Sequence, residues 1–357
     1  MKKIFLFIFI SLIFFPIQTK ALDTARSSIV MDIDSGRVLY SNNMNEKRLI
    51  ASITKIMTAT IALENGNLNK EVIVGQEVLK MYGSNIYVEV GEKLSLKDLL
   101  YGLLLRSGND SAVVIANAIS KNEEEFVKLM NKKAEEIGMH HTVFNNCHGL
   151  DEETKNYSTA HDMALLSSYI YKTSKDYREI SKTYKYSFQS SNKSYLWYNR
   201  NKLLKLYKYA TGGKTGYTPS AGRTLVTTAK KGDMNLTVVT LKDNNEYDTH
   251  ESLYEMAFEK YRNYTVIDKD EFKIDKEYFE DEIYIKESFK YPLTENEIDK
   301  IKTVVKIEKS KNYKNKDKVG CIEISLDDEV IKKIDVFVKV KKKKKGFFSS
   351  LFSFLKS

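Results

Sequence analysis

Two cysteines, three prolines and one tryptophan in 357 residues are what this chain has least of. Cys147 and Cys321 lie far apart, which excludes a disulfide-stapled scaffold and favours two free thiols over one bridge. The longest apolar run, Ile4 to Ile17, is shorter than the about 20 residues of a membrane-spanning helix. Five histidines are present, but no H-E-x-x-H or comparable signature holds them, so no metal site is indicated. His140, His141, His148 and His161 are expected to be scattered surface or capping residues. Cys147 precedes His148, yet neighbours in an extended segment point to opposite sides, so a Cys–His nucleophile is not expected. Setting aside Lys2, Lys3 and Lys20 takes the formal charge from +9 to +6. Much of that excess sits in one C-terminal block, which gives no ground for nucleic-acid binding.

What is there begins with a tripartite leader. Lys2 and Lys3 precede the apolar run, and Thr19-Lys20-Ala21 closes it with small residues. That is the layout of a secretory signal peptide, with cleavage expected after Ala21 and function outside the cytoplasmic membrane. No Cys near the junction suggests an N-terminal lipid anchor. The remaining residues, about 336, suffice for two domains, and 42% hydrophobic residues can bury a substantial core.

Ile29-Val30-Met31 and Val38-Leu39-Tyr40 flank Asp34-Ser35-Gly36 and predict a hairpin. In Ala51-Ser52-Ile53-Thr54-Lys55 a hydroxyl and an amine stand three residues apart at a helix start, with Gly66 as its C-cap. Such positions share one face, so Lys55 can take the proton of Ser52 once burial lowers its pKa from about 10.4. The first N–H groups of the helix are free to hold an oxyanion. S-x-x-K is also a common tetrapeptide, with Ser as cap and Lys as solvated surface. Further on, Leu94 to Leu105 and Ser111 to Ile119 read as helices around Ser107-Gly108-Asn109. Those residues make an ordinary connection or a loop reaching into a cleft. Glu123 to Gly138 and Asp162 to Tyr171 read as helices, and Tyr184 to Trp197 as extended. Lys214-Thr215-Gly216 leads into two β-rich runs, Thr224 to Ala229 and Leu236 to Leu241. There Lys214 offers a positive charge, Thr215 a hydroxyl, and Gly216 a place for close backbone approach. A closing helix is read over His250 to Lys260.

S-x-x-K, S-G-N and K-T-G in that order are weak singly and strong together. With Tyr157-Ser158-Thr159-Ala160 and Gly213-Lys214-Thr215-Gly216-Tyr217-Thr218, the chain resembles the D-alanyl-D-alanine carboxypeptidases of the low-molecular-mass penicillin-binding protein class. The resemblance implies an α/β (α+β) serine β-lactamase/D,D-peptidase-like domain with an inserted helical subdomain, followed by a small all-β domain. It implies Ser52 as the acylated nucleophile, Lys55 as its base, and Ser107 and Asn109 in the cleft. Lys214 and Thr215 would receive a terminal carboxylate, and the N–H groups of Ser52 and Tyr217, flanking Gly216, would form the oxyanion hole. No cofactor or metal is implied. The expected partners are peptidoglycan stem peptides and β-lactams as covalent inhibitors, at the outer face of the cytoplasmic membrane or in the cell wall. Two departures stand out. Asn244 to Glu251 lacks an Arg that the family often carries for the carboxylate, leaving His250 or Lys242 as substitutes. The segment His148 to Ser158 is also longer and more acidic than the family's usual form.

The boundaries expected are a signal peptide over 1–21, the peptidase domain over 22–262, a β domain over 264–340 and a tail over 341–357. In the tail, Lys341 to Lys345 precede an amphipathic stretch, Gly346 to Ser357, suited to lie on an anionic membrane surface. Two rival functions are a serine β-lactamase, for which Glu152 to Asn156 loosely fits a deacylation loop, and a non-enzymatic wall-binding protein.

Overall fold

A computed structural model describes residues 23–275, 279, 281–308 and 313–340. The expected signal peptide and basic tail lie outside these residues. Ser27–Asp32, with the apolar run Ile29-Val30-Met31 and every residue buried, is the second strand of a five-stranded antiparallel sheet. Val38–Asn42 pairs on one side of it and Met234–Leu241 on the other, followed by Gly222–Lys231 and the edge strand Ala210–Thr218. The N-terminal hairpin and the late strands therefore share one sheet, as the resemblance implies.

Two apolar layers sandwich that sheet. On one face Ile29, Met31, Val226 and Val239 join the helical core around Ile53, Ile56, Leu99 and Ile115. On the other, Val30, Leu236 and Val238 pack on Leu253, Tyr254 and Ala257 of the helix Glu246–Lys260. At about 25 cal/mol per Å² of apolar area removed from water, these layers are the main stabilising term of the domain.

The helical subdomain departs from its expected outline in one informative place. Leu94 to Leu105 is not a single α-helix: Lys93–Ser95 is a strand, Leu96–Tyr101 an α-helix with a Ser95/Asp98 capping box, and Gly102–Arg106 a π-helix. The periodic apolar run carries no signal for the extra residue per turn, and such bulges favour functional sites. The helix ends at Ser107, in the left-handed region at φ 63° and ψ 35°. Gly66 does cap the helix Lys55–Asn65. Its φ is −106°, so space rather than conformation selects glycine: a Cβ there would lie 2.4 Å from Leu96 Cδ2.

Lys185–Gln189 and Ser194–Tyr198 form a hairpin whose inner face places Tyr186, Phe188, Tyr195 and Trp197 in one aromatic cluster. Beyond residue 261 the strands Glu282–Ile285, Ile301–Ile307, Lys318–Leu326 and Glu329–Lys339 make a four-stranded antiparallel sheet with its own core. Arg262–Ile267 and Phe289–Leu293 pair separately beside the peptidase domain. The junction is held by Arg37, whose guanidinium lies 5.3 Å from the Tyr261 ring and 5.0 Å from the Tyr291 ring. It also donates to Glu297 Oε1 at 2.5 Å and to the carbonyl of Pro292. Among the described residues no helix is long and apolar enough to cross a membrane.

Candidate active site

Ser52 sits in a 3₁₀ turn, Ala51–Thr54, that runs directly into the helix beginning at Lys55. In such a turn residues i and i+3 eclipse, and Lys55 Nζ donates to Ser52 Oγ at 3.1 Å. The turn is entered through Ala51 at φ 48°, an unusual value for a residue with a side chain. Gly149, at φ 87°, backs it so closely that a Cβ would lie 2.1 Å from the Ala51 carbonyl oxygen. On the opposite side Thr224 Oγ1 donates to the Ile50 carbonyl at 3.0 Å. The nucleophile candidate is thus clamped between two neighbouring segments.

Lys55 is fully buried. Its Nζ also donates to Asn109 Oδ1 at 2.7 Å and to the His148 carbonyl at 2.5 Å, so all three donor positions are used. Burial pulls its pKa down to about 7, with the positive charge of Arg200 adding to the fall and Cys147 and Asp110 opposing it. An amine near neutrality in this position can hold or release a proton at working pH.

Lys214, on the edge strand, is buried as well. Its Nζ donates to Ser107 Oγ at 2.9 Å and to the Thr215 carbonyl at 2.6 Å. Burial first, then the neighbouring charges of Lys55 and Arg200, holds its pKa well below the ordinary lysine range. Sequence reasoning treated Lys214 as a plain positive charge; the structure puts that charge where burial resists it. Gly216 passes over the nucleophile: a Cβ there would lie 3.0 Å from the Ser52 nitrogen and 3.1 Å from that of Ile53. Any side chain at 216 would press on the N–H groups at the start of the Ser52 turn.

The cleft in front of these residues measures about 570 Å³, and Ser52, Ser107, Thr215, Gly216 and Tyr217 line it. That size suits a small peptide. Lys55, Asn109 and Lys214 stand behind the wall rather than in it. Wall residues not singled out from sequence include Ser84, Arg200, Arg223 and Thr224. Arg200 donates to Ser84 Oγ at 2.6 Å, and Arg223 to Glu246 Oε1 at 3.2 Å. No periodicity marks them; only the three-dimensional meeting of a loop, a hairpin end and a strand does.

Three expectations need correction. His148 and His250 are buried, and burial pulls each imidazole down to about 3. His148 Nδ1 accepts from the Leu150 N–H, and its Nε2 lies 3.7 Å from Glu123 Oε1. His250 lies between Thr227 and Thr240 under the sheet, so it does not replace the missing arginine. Lys242 packs on Gly222 outside the cleft wall; the cations that do face the cleft are Arg200, Lys202 and Arg223. Among the described residues no cluster of His, Cys, Asp or Glu could hold a metal ion.

Comparison with known proteins agrees with this geometry. Residues 17–245 match the D-alanyl-D-alanine carboxypeptidase family. The chain belongs to that family. Residues 261–344 match the C-terminal domain of penicillin-binding protein 5. D-alanyl-D-alanine carboxypeptidase DacF of Bacillus subtilis is 39% identical over 254 residues, spanning 67% of this chain and 64% of its own length. DacC of Escherichia coli is 30% identical across 98% of this chain and 93% of its own. Among solved structures, penicillin binding protein 5 from Haemophilus influenzae superposes with a TM-score of 0.74 at 25% identity. That match covers 88% of this chain and 96% of the other. A D-alanyl-D-alanine carboxypeptidase from Mycobacterium tuberculosis gives 0.63 at 30% identity, over 66% and 91%. The carboxypeptidase family and the peptidase-plus-β-domain fold read from the motifs are both upheld.

Proposed function

We propose that this serine peptidase removes the terminal D-Ala from peptidoglycan stem peptides through an acyl-enzyme on Ser52. The observation that carries the reading is the 3.1 Å contact between Ser52 Oγ and a fully buried Lys55 Nζ. In its neutral form Lys55 has two N–H groups and one lone pair. The N–H groups stay on Asn109 Oδ1 and the His148 carbonyl, which turns the lone pair to the Ser52 hydroxyl. Ser52 Oγ attacks the penultimate D-Ala carbonyl carbon while its proton passes to Lys55. The N–H groups of Ser52 and Tyr217 hold the oxyanion. The amide bond breaks, the leaving amine takes a proton through Lys55 or Ser107, and D-Ala departs. Water then adds to the ester as one of its protons passes to Lys55; the bond to Ser52 Oγ breaks, Lys55 returns the proton to that oxygen, and the shortened peptide leaves.

Thr215 and the Lys214–Ser107 pair receive the terminal carboxylate, whose negative charge favours the protonated form of Lys214 against the effect of burial. Arg200 and Arg223 supply further positive charge along the wall, in the place of the arginine that Asn244 to Glu251 lacks. A β-lactam enters the same acylation and is retained. The β-lactamase alternative needs Glu152 at the ester, but Glu152 is exposed and its carboxylate meets the Tyr82 hydroxyl. The chain is exported through the segment ending at Ala21, and the tail from Lys341 holds it on an anionic membrane surface. The domain limits are those read from the sequence, 22–262 and 264–340.

Mass spectrometry after incubation with penicillin and with a peptide ending in D-Ala-D-Ala tests the reading. A stable adduct on Ser52 and loss of one alanine from the peptide are expected, and Ser52→Ala should abolish both. Rapid release of hydrolysed penicillin, or labelling that survives Ser52→Ala, would overturn it.

A further inference from the structure

Residues 81–88 have no regular secondary structure, yet they supply Ser84 to the cleft wall. Their shape is imposed from the S-G-N segment and its next residue. Asn109 N–H donates to the Ser84 carbonyl at 2.7 Å and Asn109 Nδ2 to the Tyr82 carbonyl at 2.7 Å. Asp110, 2% exposed, does more. Its carboxylate accepts from the N–H of Ile86 at 3.0 Å, of Tyr87 at 2.7 Å and of Ser111 at 2.8 Å. The Asp110 N–H donates in return to Asn85 Oδ1 at 3.2 Å. Tyr87 sits at φ 61° with its ring exposed, a conformation that a tyrosine keeps only where its surroundings dictate it. Among the described residues no cation pairs with this carboxylate, and its hydrogen bonds come from backbone N–H groups.

We infer that Asp110 is a positioning residue of the reaction, fixing loop 81–88 against the cleft and setting the electrostatic environment of Lys55. The inference rests on the carboxypeptidase reading and deepens it. The loop half follows from geometry: the side chain that bonds the Ile86 and Tyr87 amides also borders Asn109, which holds Lys55. The electrostatic half follows from charge. The groups facing Lys55 are Cys147, Asp110, Arg200, Lys214 and His148. Cys147 is a thiol held protonated by burial, and the imidazole of His148 is held neutral. Arg200 and Lys214 are cations or nascent cations. Asp110 is therefore the one carboxylate in the set, and it works against the fall in the Lys55 pKa.

Penicillin acylation of wild type and of Asp110→Asn, measured across pH, tests both halves. An amide at 110 would turn a donor toward the Ile86 and Tyr87 N–H groups, so acylation should slow by about ten- to a hundredfold from misplacement. Loss of the charge should also move the acid limb of the profile to lower pH, which a purely structural role would leave in place. An unmoved limb with acylation near the wild-type rate would overturn the inference. Asn85→Ala is the milder companion: it frees the loop but keeps the carboxylate, so acylation should slow with the limb unmoved. Unchanged acylation in that variant would remove the loop half even if Asp110→Asn does not fold. Hydrogen exchange at the Ile86 and Tyr87 amides needs no substrate. It should quicken in Asp110→Asn; unchanged exchange would overturn the loop half even if wild type forms no adduct and the carboxypeptidase reading itself fails.

Discussion

Lys214 and Ser107 meet at the back of the cleft wall, Nζ donating to Oγ at 2.9 Å. One comes from the edge of the sheet and the other from the left-handed residue that ends the π-helix. Ser107→Ala leaves a buried amine without one of its two acceptors, which costs more than the bond itself contributes. Acylation by penicillin is expected to fall by about a hundredfold or more, read by stopped-flow or by timed labelling on gels. Acylation at the wild-type rate would show that the bond is structural only.

Lys55→Arg separates charge from basicity. A guanidinium is not deprotonated in proteins, so acylation should be lost although the positive charge stays. The pH dependence of the wild type follows with a definite sign. Burial pulls Lys55 down to about 7, and only the neutral amine serves as base. Acylation should therefore be full above that pH and fall about tenfold for each further unit of acid. A profile flat down to pH 5, or acylation retained in Lys55→Arg, would pass the proton to another group.

Arg37→Ala addresses the junction of the domains. The side chains of Arg37 and Glu297 are only 13% and 19% exposed, and removal strands Glu297 and opens the space between Tyr261 and Tyr291. A loss of about 2–4 kcal/mol at the junction is expected. Limited proteolysis near Tyr261 should become faster, while D-Ala release from a soluble peptide stays unchanged. A drop in that activity would mean that the junction reaches the cleft.

Removal of Gly346 to Ser357 tests the tail. Burying its apolar side chains at about 25 cal/mol per Å² competes with ordering costs of roughly 1–2 kcal/mol per residue. Each nearby lysine adds about 1 kcal/mol on an anionic surface. The truncated protein should leave the membrane fraction with its peptidase activity intact. If it still sediments with membranes, an uncleaved N-terminal segment becomes the anchor.

Much of the fold was legible because its strands and helices alternate or repeat in the ordinary way. That the N-terminal hairpin and the runs after Lys214 share one sheet was implied by the family resemblance, while the order of the strands within it was not legible. Ser52, Lys55, Ser107, Asn109, Lys214, Thr215, Gly216 and Tyr217 are brought into one neighbourhood, as their order suggested. What was not legible has local physical causes. A π-helix keeps the same apolar residues as an α-helix, so Gly102–Arg106 hid inside its run. His148 looked like a surface or capping residue and His250 like a substitute for the missing arginine, because nothing in a sequence shows that Leu150, Thr227 and Thr240 will satisfy a buried imidazole. Ser84 and Arg200 reach the cleft from irregular segments, and their placement depends on Asn109, Asp110 and each other.

The strand Ala210–Thr218 ends the order of the five-stranded sheet, and its stretch at the cleft is Thr215, Gly216 and Tyr217. An unpaired sheet edge ordinarily invites other chains to zip onto it. Here the stretch that lines the cleft is three residues, far below what a lasting strand pair requires in water. On the proposed reading, a peptide laid along it would gain little from contact alone and be held firmly only once Ser52 had bonded to it. Selectivity would then be exercised in time rather than in affinity, with most peptides that alight leaving again before they react.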